Sequence, residues 1–210
     1  MTKLHLDVLD RTRSETWQKL GPLSKNGAVL GGGTAIALQI GHRVSEDFDL
    51  FLNHPVGEPE RRKAFEILIR PVFKQLDNPD QMTLISGSGV KLTLLYFPFP
   101  PIHELIQTDA TSMFDLADLA SNKAYVIGRR GTWRDYVDLY FLLKEGFVTM
   151  TQVVDESSQR FGDEFGPKLF LEQLVYTADL GKMEVGFLRD EVSEPEIVRY
   201  FEAEVKKYLM

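Results

Sequence analysis

Gly31, Gly32 and Gly33 run directly into Thr34, and Asp47 and Asp49 follow shortly after with one residue between them. Consecutive glycines let backbone amides turn toward a bound anion without interference from a Cβ. The residues from Thr34 to Gly41 read as a helix, whose first amides and dipole would face a phosphate. Phe48 to Leu52 is apolar apart from Asp49 and reads as a strand. Side chains two apart on a strand share a face, so the two carboxylates would project together. Such a pair suits Mg²⁺, which takes oxygen ligands and completes its shell with substrate phosphates. Each part alone has a plainer reading, the glycines as a tight turn and the acidic pair as a solvated loop. In this order and this close together they are the layout that nucleotidyl transfer requires.

The surrounding elements follow from periodicity and turn chemistry. Leu4 to Leu20 reads as a leading helix ended by Gly21-Pro22, and Ala28 to Leu30 as a short strand feeding the glycines. Glu58 to Leu76 reads as an amphipathic helix with Phe65, Leu68, Ile69, Val72, Phe73 and Leu76 on one face and a kink at Pro71. Met82–Ser86 and Val90–Phe97 flank Gly87-Ser88-Gly89 as a hairpin. Beyond about residue 105 the pattern is helical. Capping boxes are expected at Ser112–Asp115 and Thr132–Asp135, and further helices over 149–160, 167–178 and 194–209. The fold class is α/β (α+β): a core with a small mixed sheet over 1–105, then a helical part over 106–210.

Composition narrows the function classes. With 43% hydrophobic and 26% charged residues, the 210-residue chain has the balance of a globular protein. No apolar run is long enough to span a bilayer, so no membrane partner is expected. The N-terminal stretch lacks the apolar core of a signal peptide, which points to the cytoplasm. The absence of cysteine removes disulfides, thiolate metal sites and cysteine nucleophiles. Four histidines show no zinc-binding spacing, His42 reads as a surface residue, and no Gly-Lys-Ser/Thr follows the glycines. A net charge of −7 argues against broad non-specific nucleic-acid binding. Local basic clusters remain at Arg61, Arg62 and Lys63, and at Lys123, Arg129, Arg130 and Arg134.

The run GGT-A-AL…HR-S-D-DLF, from Gly32 to Phe51, resembles the AbiEii/AbiGii toxin-type nucleotidyltransferases of the DNA polymerase beta-like superfamily. A second block with the family's K…R…RD-xx-D pattern matches at Lys123, Arg130, Arg134, Asp135 and Asp138. The resemblance implies a polymerase beta-like core and a Mg²⁺-dependent transfer of an NMP from an NTP to an RNA end, such as a tRNA 3′ end, or to a protein hydroxyl. It implies a toxin of a type IV toxin–antitoxin or phage-defence pair, with a separately encoded antitoxin as partner. Asp47 and Asp49 are the expected metal ligands. Gly32, Gly33, Thr34, Arg43, Ser45, Arg130 and Arg134 are the expected nucleotide contacts, and Arg43 has pairing with Asp47 as its structural alternative. By the resemblance Lys123 contacts the triphosphate. Asp138, set among apolar neighbours, needs a partner such as Lys123 or Arg134; with Asp47, Asp49 and Lys123 it completes the expected catalytic set. Asp135 is explained by capping alone.

One departure stands out. Polymerase beta-like enzymes place a third carboxylate on a neighbouring strand, here Val90 to Phe97, and that segment holds no Asp or Glu. Lys91 or Thr93 is expected in its place, with Asp109, Asp115 and Asp118 as acids elsewhere that could substitute. The alternative is therefore a non-catalytic nucleotide-binding or interaction protein that kept the fold.

Overall fold

A computed structural model describes residues 3–210, with the side chain of Arg130 outside the described set. The chain forms two compact units, one of Met1–Gly41 with Ser45–Phe114, the other of His42–Val44 with Asp115–Met210.

The first unit is built on a five-stranded sheet. Its strands are β1 (Val29–Gly31), β2 (Asp47–Leu52), β3 (Val72–Asp77), β4 (Gln81–Ser86) and β5 (Lys91–Tyr96), in the order β1-β2-β5-β4-β3. Only β2 and β5 run parallel; the other pairs are antiparallel, so the sheet is mixed. Along β2 burial alternates: Phe48, Leu50 and Leu52 are buried, while Asp47, Asp49 and Phe51 are half-buried on the other face. The period-2 pattern of the sequence therefore holds, and it sets both carboxylates on one face. The helices of this unit are α1 (Arg11–Trp17), α2 (Gly21–Ser24), α3 (Gly32–Ile40) and α4 (Glu58–Ile67). Buried Ala35, Ile36, Ala37 and Leu38 make α3 a core helix, and Gly41 closes it at φ +66° in the left-handed conformation that glycine tolerates.

Three expected elements differ. The single leading helix is instead a 3₁₀ turn at Leu6–Val8 followed by α1, because the Asp10 carboxylate caps the new start by accepting from the Arg13 amide. Gly21-Pro22 opens α2 rather than ending a helix, proline being well placed in a first turn. The helix expected over 58–76 ends at Ile67, and residues 72–77 pair with β4 as an edge strand. Pro71 disfavours helical backbone at the residue before it. Phe73 and Leu76, expected on a core face, are exposed.

The second unit is helical: α5 (Leu116–Arg130), α6 (Trp133–Lys144), α7 (Met150–Phe161), α8 (Pro167–Val175) and α9 (Glu194–Leu209). The cap of α5 is Asp115, which accepts from the Ala117 amide, and not Ser112. The capping box of Thr132 and Asp135 is present at α6. Tyr136, Tyr140, Phe170 and Phe201 fill its interior. No helix among the described residues is long and apolar enough to cross a membrane.

Leu50 is wholly buried in β2, between the two edges of the sheet. Leu50→Ala is expected to cost about 2–5 kcal/mol of unfolding free energy, read from the urea midpoint at unchanged slope.

Candidate active site

The first unit brings the glycine turn against the carboxylates. β1 pairs with β2 so that Gly31 faces Asp49 across the ladder, and α3 starts at the next residue. Gly32 adopts φ +64°, and a Cβ on it would lie 2.5 Å from Asp49 Oδ2. The turn is thus closed to any side chain, and the backbone stands directly beside the carboxylate. No side chain caps α3, so its first amides keep the donor capacity of a helix N-terminus.

Two expected phosphate contacts are otherwise engaged. Thr34 and Ser45 are buried, their hydroxyls lie 2.7 Å apart, and the Thr34 hydroxyl also donates to the Asp47 carbonyl. Together they tie the first turn of α3 to the start of β2. That leaves Gly32 and Gly33 to offer backbone amides. Asp47 binds the Lys91 ammonium through Oδ2 at 2.8 Å. Asp47 and Asp49 offer hard oxygen donors on one face, a set that fits Mg²⁺ bound jointly with a nucleotide. Among the described residues, no group of three or more Asp, Glu, His or Cys side chains is placed to hold a metal, so substrate oxygens would have to complete the shell.

The second unit holds a buried ion cluster around Asp138, whose side chain is 0% exposed. Oδ1 accepts from His42 Nε2 at 2.8 Å and from Arg43 Nε at 2.7 Å; Oδ2 accepts from an Arg43 terminal nitrogen at 2.9 Å and from Lys123 Nζ at 2.6 Å. A carboxylate offers about four acceptor positions, and these four donors occupy them. Lys123 also donates to Asp135 at 2.8 Å, and Asp135 caps Thr132 through its amide and hydroxyl. Asp135 is therefore both a cap and a lysine partner. Arg43 pairs with Asp138 rather than Asp47, and its remaining terminal nitrogen donates to the Val44 carbonyl.

Electrostatics follows from this packing. Burial alone would raise the Asp138 pKa, but Arg43 and Lys123, with the bonds from His42 and Arg43, hold it well below the carboxylate range. Burial alone would lower the Lys123 pKa; Asp135 and Asp138 outweigh it and keep the ammonium charged. For His42 burial wins, and its pKa falls despite Asp138. Its ring is neutral, donates from Nε2, and leaves Nδ1 without a hydrogen-bond partner. The surface position expected for His42 is wrong: it is fully buried. Its place beside Arg43 in a charged sequence gave no periodic sign of that.

The other expected contacts scatter. Arg134 is exposed on the first turn of α6, and the side chain of Arg130 lies outside the described ones. Arg61 pairs with Asp77, Lys63 bonds Asn26, and Arg129 bonds Glu164, so much of the basic clusters is locally engaged.

Comparison with known proteins agrees with this architecture. Residues 22–94 match the family described as nucleotidyl transferase AbiEii toxin, type IV TA system. An uncharacterized protein of Aquifex aeolicus is 26% identical over 202 residues, covering 88% of this chain and 89% of that one. A putative nucleotidyltransferase from H. pylori shares the fold at TM-score 0.58 and 20% identity, covering 95% of this chain and 97% of that one. MenT4, a nucleotidyltransferase toxin from Mycobacterium tuberculosis, does so at TM-score 0.56 and 15% identity, over 94% and 86%.

Two substitutions probe these sites. Asp138→Asn leaves buried cations uncompensated and is expected to cost about 3–5 kcal/mol at neutral pH. Because folding lowers the Asp138 pKa, its contribution is complete above the unfolded value of about 3.9 and is lost as pH falls further. Wild-type unfolding free energy, measured by urea titration across pH, should therefore drop below about pH 4, less steeply in Asp138→Asn. Gly32→Ala adds about 1–3 kcal/mol of backbone strain and displaces Asp49; calorimetry should find Mg-NTP binding lost in it.

Proposed function

We propose that the chain is a nucleotidyltransferase of the kind its residues 22–94 match, the AbiEii nucleotidyl transferase toxin family, and a Mg²⁺-dependent enzyme that moves an NMP from an NTP to an acceptor. The observation that carries the proposal is the direct approach of the Gly32 backbone to the Asp49 carboxylate. It supports a site in which phosphate donors and metal ligands act on one triphosphate. Asp47 and Asp49 would hold Mg²⁺, which supplies neutralising charge at the phosphate oxygens. The amides of Gly32 and Gly33, with the α3 dipole behind them, would bind a phosphate group. Thr34 and Ser45, bonded to each other and through Thr34 to the Asp47 carbonyl, would brace that turn. Lys123 is read as a triphosphate contact by the family resemblance alone, and within the helical unit Asp138 would position Lys123 and Arg43. With every acceptor position occupied, Asp138 has no lone pair left for an acceptor's proton.

The acceptor proposed is an RNA end, a tRNA 3′ end by family resemblance, with a protein hydroxyl as the other form of the same chemistry. The biological setting proposed is the cytoplasm, as the toxin half of a type IV toxin–antitoxin or phage-defence pair with a separate antitoxin. A second reading, a nucleotide binder without transfer, is favoured by one observation: β5 carries no carboxylate. An assay with α-³²P-NTP, Mg²⁺ and each nucleotide in turn, offering total RNA and cell protein, separates them. Label is expected in RNA and is expected to vanish in Asp49→Asn. Equal label in that variant would sink the metal assignment. Mg-NTP binding without label would favour the second reading.

A further inference from the structure

The strand beside the two aspartates carries a cation where polymerase beta-like enzymes carry a carboxylate. β5 runs parallel to β2 with Lys91 opposite Asp47 and Thr93 opposite Asp49, so all four side chains share one face. The Lys91 ammonium sits 2.8 Å from Asp47 Oδ2, and the two side chains are 36% and 31% exposed. Thr93 is buried and pairs only loosely with the Thr83 hydroxyl, at 3.5 Å. On this face the Lys91 ammonium lies against Asp47, and both side chains reach solvent in part.

A two-metal centre needs carboxylates that bridge ions about 3.5–4 Å apart. Here the cross-strand neighbour of the first aspartate repels a second divalent ion instead of binding it. A lysine on a flexible stem delivers the same kind of compact point charge. A half-exposed ion pair is weakly held, so the ammonium can exchange Asp47 for a phosphate oxygen. We propose that Lys91 stands in for a second divalent cation: the site takes one metal ion with its nucleotide, and the Lys91 ammonium supplies the other positive charge facing the triphosphate. This rests on the nucleotidyl-transfer reading and specifies its metal requirement.

The test counts ions. Mn²⁺ is titrated into the full-length protein saturated with α,β-methylene NTP analogues, each nucleotide in turn, and free Mn²⁺ is read by electron paramagnetic resonance. One bound ion per bound nucleotide is expected in the wild type. Lys91→Ala is expected to weaken analogue binding about tenfold, as loss of one charge-assisted contact does, with its melting midpoint close to wild type. Should the alanine variant lose cooperative unfolding, Lys91→Gln carries the same expectation. Two ions per nucleotide in the wild type, or unchanged affinity in the neutral variant, overturns the inference while leaving nucleotidyl transfer standing. A wild type that binds neither Mn²⁺ nor any analogue removes the parent reading and this inference with it.

Discussion

Asp138, on α6, takes its four hydrogen bonds from two other stretches of chain, the residues just after α3 and the middle of α5, and Lys123 ties back to α6 through Asp135. Isolated, a carboxylate at zero exposure would be strongly disfavoured. Here Asp135 and Asp138 face Lys123 and Arg43, two charges against two, and the neutral His42 adds a donor without adding charge. A third cation in place of His42 would leave the cluster with a net positive charge in a low-dielectric interior. Such a cluster contributes little net stability compared with an apolar core, but losing one member leaves its partners uncompensated. It fixes one arrangement of the α5–α6 pair and of residues 42–44.

In the first unit the charged side chains of β2 are half-buried instead, and Asp47 is paired with Lys91. Glycine at position 32 brings backbone to the carboxylate, where any Cβ would intrude. Thr34 and Ser45 supply rigidity from beneath, and their burial means their hydroxyl bonds are not exchanged with water. Asp47, Asp49 and Lys91 stay half-exposed above them.

Much of this was legible in the residues. The glycine turn, the helix behind it and the alternation of β2 follow from local chemistry, since φ freedom and period 2 need no tertiary information. The hairpin at Gly87–Gly89 and the capping box at Thr132 are legible for the same reason. Residues 68–77 were not: their apolar spacing fits a helix face, and only pairing with β4 decides for a strand. Nor were the partners of Arg43, Thr34 and Ser45. All three are side chains for which a nucleotide and a buried neighbour are equally good partners, and sequence spacing cannot choose between them. The sequence offers both Lys91 and Thr93 for the carboxylate's place, and the bond of Lys91 to Asp47 depends on the parallel register of β2 and β5.

Residues 42–44 belong to the helical unit although the chain reaches them from α3 and leaves them for β2. Val44 and His42 are further held by backbone bonds with Gly186 and Leu188. The sheet unit is therefore not a contiguous module that could be excised at residue 114. A fragment cut there would carry Arg43 and His42 without Asp138, and the loop between α3 and β2 would lose those bonds. Insertion or deletion in that loop would move His42 and Arg43 away from Asp138, so its length is set by a carboxylate on a distant helix.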